Sequence, residues 1–120
     1  MEKEKFEAII LNTLENLPDR FKQKIKNLSI VIEDENIRPV LENKKGTGTG
    51  YTLGLYQGVP SIHKPGTINM LPDKITIYKK SLEEISRNDK ELEIKARRVL
   101  LHELGHYFGL GEEKLKKLGY

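Results

Sequence analysis

The sequence predicts an α+β fold, with a small mixed or antiparallel sheet packed on an N-terminal helix and a long C-terminal helix. Three observations lead there. Apolar residues recur at three- and four-residue spacing near both ends of the chain. They alternate with polar residues at 74–78, and a short β-branched run lies at 28–32. The helical segments between and around these strands are unequal in length, which argues against a regular βαβ repeat. With 120 residues the chain supports one core and is too short to bury a second, so residues 1–120 are read as one domain.

Phe6, Ile9, Ile10, Leu14 and Leu17 fall at helical spacing, predicting an amphipathic helix over residues 2–16 that ends near Pro18. Its apolar stripe needs a sheet or another helix to cover it. Leu28-Ser29-Ile30-Val31-Ile32 reads as a mostly buried strand. Residues 43–50 are Gly- and Thr-rich and read as a loop; they lack the Gly-Lys-Ser/Thr ending and the following helix of a phosphate loop. Residues 51–58 have strand character, and Gly54 within them suits an edge position or a close backbone approach. After a Pro-containing connection, Lys74-Ile75-Thr76-Ile77-Tyr78 alternates and is the clearest strand. Ser81 is expected to cap a short helix, with Glu84 at the capping-box position. Leu92, Ala96, Val99, Leu100, Leu104 and Phe108 then define the longest helix, over residues 91–108. Gly109 and Gly111 end it, and residues 112–118 form a last amphipathic turn or two.

Composition removes several function classes. Cysteine is absent, which excludes a disulfide scaffold, a thiol nucleophile, an iron–sulfur cluster and Cys-ligated zinc. Any transition-metal site must come from three His and the carboxylates. The 21 basic and 18 acidic residues are mostly interspersed, so the net charge of +3 is weak evidence for a nucleic-acid partner, and none is expected. Arg97, Arg98, Lys114, Lys116 and Lys117 read as charges at helix ends and on the solvated surface. No run of 18 apolar residues predicts a membrane span, and Met1-Glu2-Lys3-Glu4-Lys5 does not open like a secretory signal. A cytoplasmic location is the expectation.

The chemistry concentrates in His102-Glu103-Leu104-Gly105-His106. Helical residues four apart differ by about 40° in direction and one turn in height, so both imidazoles reach one ion. Glu103, beside the first, can take a proton from a water that such an ion holds. A shuffled chain with 3 His and 14 Glu produces this spacing roughly once in 120 trials, and here it lies inside a strongly periodic helix. Two imidazoles leave zinc short of its usual three protein ligands. The third is His63 or a carboxylate: the Gly-rich turn after the helix can bring Glu112, or its neighbour Glu113, under the metal. As acids at the start of the final helix, both also oppose its dipole.

His102 to Leu110, followed by Gly111-Glu112-Glu113, resembles the extended metzincin-type signature His-Glu-x-x-His-x-x-Gly-x-x-ligand. More closely, the C-terminal half is similar to the small bacterial zincin-like metallopeptidase family. The matching stretches are Gly54-Leu55-Tyr56-Gln57-Gly58-Val59-Pro60, Leu71 to Lys80, and Arg97 to Leu110 with the Glu pair. Family members usually carry Asp-Asp near the pair, the second acid at the position of Glu112. The resemblance implies a minimal zincin fold, with Zn2+ between a small sheet and an active-site helix and the strand at residues 54–59 as the edge above the cleft. It implies a zinc metallopeptidase with His102, His106 and Glu112 as ligands and Glu103 as general base. A peptide or protein substrate in extended form is expected to pair with that edge at Leu55, Tyr56 and Gln57. Tyr56, Tyr107 and His63 are candidate donors to the oxyanion. The alternative is a zinc-binding module that captures a peptide with little or no turnover; Glu103 argues for chemistry, since metal binding alone does not need it.

Overall fold

The alternating segment at residues 73–78 becomes the centre of the sheet. A computed structural model of the protein describes residues 1–34, 52–58 and 72–119. Its strands are β1 (Leu28–Glu33), β2 (Gly54–Gln57) and β3 (Asp73–Tyr78), in the order β1-β3-β2. β1 runs parallel to β3, with Ile30 opposite Ile75, and β2 runs antiparallel to it, with Tyr56 opposite Ile75. The sheet is therefore mixed. The helices are α1 (Lys3–Glu15), α2 (Asp19–Lys22), α3 (Lys79–Glu84), α4 (Asp89–Tyr107) and α5 (Glu112–Lys117).

Alternation puts Ile75 and Ile77 on one face of β3, with the buried Asp73 at its start. Ile75 and Ile77 are completely buried on it, while Lys74 is exposed. Phe6 and Ile10 of α1, Leu82 of α3, and Leu92, Ala96, Leu100 and Leu104 of α4 complete this core. Burying each of the larger side chains contributes about 1.5–3 kcal/mol. α4 lies against α1, β2 and β3 at once. Arg97 ties it to α1, donating to Asn12 Oδ1 at 3.1 Å and Thr13 Oγ1 at 2.9 Å. The rotation of α4 about its axis is thus set by its apolar stripe and by this polar clasp. That rotation decides where its last two turns aim their side chains.

Several expectations need adjustment. α4 begins two residues before the first position expected for it, because Asn88 caps it, accepting a 2.8 Å bond from the Glu91 N–H. Asn88→Ala should cost about 1 kcal/mol of stability, read as a lower midpoint in urea with an unchanged slope. Ser81 is not a cap. β3 runs straight into α3 without a loop, Tyr78 holds the N-cap position without a side-chain bond, and Ser81 lies inside the helix, fully buried. Among the described residues the Ser81 hydroxyl has no hydrogen-bond partner. β1 is half-buried rather than mostly buried; among the described residues it pairs only with β3. The four-residue α2 was not expected, being too short to show a period; it brings Phe21 within 5.4 Å of the Phe108 ring. The loop at 43–50 and His63 lie outside the described residues.

Candidate metal centre

The last turns of α4 carry His102 and His106 on one side, their ring centroids 4.9 Å apart and nearly perpendicular. The helix then stops sharply. Gly109 adopts φ of 90°, a conformation open to Gly and strained for other residues. Its N–H donates to the His106 carbonyl at 2.9 Å and that of Leu110 to the Gly105 carbonyl at 2.8 Å, the paired closure of a Schellman motif. The reversed chain enters α5 at once. Leu115, 1% exposed, packs on Gly105 of α4, and Glu112 at the start of α5 turns toward the imidazoles. Glu112 Oε1 lies 2.8 Å from His106 Nε2 and 3.3 Å from His102 Nε2. One ligand atom from each of the three falls within 4.8 Å of the others. Glu113 is exposed and outside this group.

The donor set fits a divalent metal. His106 Nδ1 lies 3.2 Å from the Leu110 carbonyl oxygen, which can only accept, so Nδ1 carries its proton there. Nε2 is left facing the Glu112 carboxylate at 2.8 Å. The three groups offer two imidazole nitrogens and one carboxylate oxygen to a common point, and nitrogen–nitrogen–carboxylate is a ligand set that zinc accepts. Burial alone would raise the Glu112 carboxyl, but the two imidazoles outweigh it and hold it below the ordinary carboxylate value.

Glu103, next to the cluster and within electrostatic reach of His102, His106 and Glu112, leans toward β2. It is half-buried, and that burial raises its carboxyl above the ordinary value despite the imidazoles and a hydrogen bond from the Tyr56 backbone N–H. The pairing pattern explains that bond. The Tyr78 N–H donates to the Leu53 carbonyl at 3.0 Å, so in this antiparallel pair residues 53, 55 and 57 direct their backbone to β3. Gly54 and Tyr56 direct theirs outward, along the strand's other edge. β2 also sits very close on α4: a Cβ at Gly54 would lie 2.6 Å from Val99 Cγ1 and 3.2 Å from Glu103 Cγ. The Tyr56 hydroxyl donates to Asp73 Oδ2 at 2.6 Å, and burial together with that carboxylate raises it above the usual tyrosine value. The Tyr107 hydroxyl accepts from the Lys26 N–H at 3.0 Å. Both hydroxyls thus face structural partners. Leu55 and Gln57 expose their side chains.

A family model described as zincin-like metallopeptidase matches residues 25–120. The chain belongs to the zincin-like metallopeptidase family. No curated protein matches its sequence. Among solved structures, this zincin-like chain is similar to a conserved hypothetical protein from T. thermophilus. The TM-score is 0.59 at 22% identity, over 98% of this chain and 97% of the other, a likeness that concerns the fold.

His102, Glu103 and His106 of this zincin-like domain were legible from spacing, while spacing left Glu112 beside Glu113 and His63 as a third group; the structure brings the imidazoles and Glu112 into one cluster. Two partners were missed. The Tyr56 N–H is a backbone group that no sequence pattern marks. Leu115 was visible only as an apolar residue of the final helix. The unexplained Gly105, in a helix interior where Gly costs about 1 kcal/mol relative to Ala, was the signal that something packs there.

Proposed function

We propose that the chain is a zinc-dependent metallopeptidase that hydrolyses peptide bonds, with His102, His106 and Glu112 as the metal ligands and Glu103 as the general base. The convergence of two imidazole nitrogens and one carboxylate oxygen beside a second, separately held carboxylate carries this reading. A bound zinc supplies Lewis acidity, polarising a carbonyl and lowering the pKa of water from about 15.7 toward 7. Glu103 accepts the proton of the attacking water and passes it to the leaving amine. The Tyr56 N–H keeps its carboxylate from swinging away between these transfers. An extended peptide adds to the edge of β2, where the Gly54 backbone and the Tyr56 carbonyl offer hydrogen-bonding groups and Leu55, Tyr56 and Gln57 line its path. Among the described residues no helix is long and apolar enough to cross a membrane. The reading includes a cytoplasmic setting, which the cysteine-free composition fits.

One observation favours a second reading, a metal-dependent peptide-capture module without turnover. The Glu103 carboxylate already engages a backbone donor of the strand on which substrate would lie. One experiment separates the two. Protein loaded with zinc should cleave members of a quenched-fluorescent peptide library, lose that activity on chelation and regain it with added zinc. Peptide binding that requires zinc but produces no cleavage would replace the peptidase reading with the capture reading.

A further inference from the structure

We infer that Leu115, seated on Gly105, is the device that places Glu112 against the imidazoles, so that Gly105 and Leu115 are positioning residues for the metal centre. The inference rests on the metal-binding part of the reading above. α5 has six residues, too few to hold a helical shape unaided. It is joined to α4 through a turn with Gly109 and Gly111, and its one buried residue is Leu115. Glu112 and Leu115 are three apart, hence on the same face of α5. Gly105 follows His102 by three residues and precedes His106 by one, so the seat for Leu115 opens directly beside the imidazole pair.

The seat exists only because position 105 has no side chain. A Cβ built there would meet Leu115 Cδ2 at 2.2 Å, Cγ at 3.2 Å and Cδ1 at 3.3 Å. The Cδ2 methyl would have to move, Cγ and Cδ1 stand in tight contact behind it, and Leu115 is buried in a close-packed interior that offers its side chain little space to turn into. The relief is movement of α5 as a unit, which carries Glu112 off His102 and His106. Glycine is unfavourable in a helix interior, and this contact gives its presence in α4 a physical reason.

Zinc affinity, measured by competition with a chromophoric chelator, tests the assignment in wild type, Gly105→Ala, Glu112→Ala and the double variant. Gly105→Ala should weaken zinc about 10–100-fold, the range for loss of an orienting contact. In the Glu112→Ala background the same substitution should have almost no further effect, since the group it displaces is gone. Circular-dichroism melting of the metal-free proteins reports global stability separately. Should Gly105→Ala fail to fold, Leu115→Ala with and without Glu112→Ala carries the same comparison. Wild-type affinity in Gly105→Ala, or an equal loss with and without Glu112, overturns the inference while leaving the metallopeptidase reading intact. A wild-type protein that binds no zinc overturns both.

Discussion

Glu103→Gln should lower peptide cleavage by about 10²–10⁴-fold while zinc stays at its wild-type stoichiometry. The amide keeps the shape of the side chain, and its oxygen can still accept the Tyr56 N–H that holds it beside β2. It lacks the basicity to take a proton from water. It is also outside the cluster formed by His102, His106 and Glu112, so metal binding has no reason to fall. The metal-free variant should be no less stable than wild type, because the substitution removes a carboxyl that burial already disfavours in its charged form. Steady-state kcat/KM beside elemental zinc content checks this. Cleavage within about tenfold of wild type would remove Glu103 from the general-base role.

The second large effect belongs to the metal. His106→Ala should bring zinc from about one per chain to background, because it leaves two ligands where zinc normally takes three from the protein. It also deletes the ring that the Leu110 carbonyl orients. Metal that binds only the folded state stabilises it by mass action, about 4.1 kcal/mol at a thousandfold excess over the dissociation constant. Chelation should therefore lower the wild-type melting temperature by several degrees and leave that of His106→Ala unchanged. The paired melting curves, with and without chelator, read the site independently of any substrate.

How far the sequence revealed this site depends on the reach of each signal. The imidazole pair follows from four-residue spacing on a helix and the strand at residues 74–78 from alternation, both properties of the chain alone, and the structure starts that strand one residue earlier, at Asp73. Glu112 was separable from Glu113 only by how α5 sits, and that depends on Leu115 finding the gap at Gly105, a contact between two elements. Ser81 was misread because its capping pattern is local, whereas β3 continues into α3 without a break and buries the hydroxyl beside Leu82. The outward-facing groups of β2 were equally out of reach. Whether residues 54 and 56 or residues 55 and 57 face the free edge is fixed by pairing with β3, and a shift of one residue reverses the answer. Asn88 was legible and overlooked: an Asn three residues before Glu91 is a helix-start pattern, and the structure uses it.

Anomalous diffraction at the zinc edge, from crystals of the zinc-loaded protein, tests the central claim most directly. The account predicts one strong peak about 2.0–2.2 Å from His102 Nε2, His106 Nε2 and a Glu112 carboxylate oxygen. A peak elsewhere, or imidazoles turned to other protein groups with no metal between them, would contradict it.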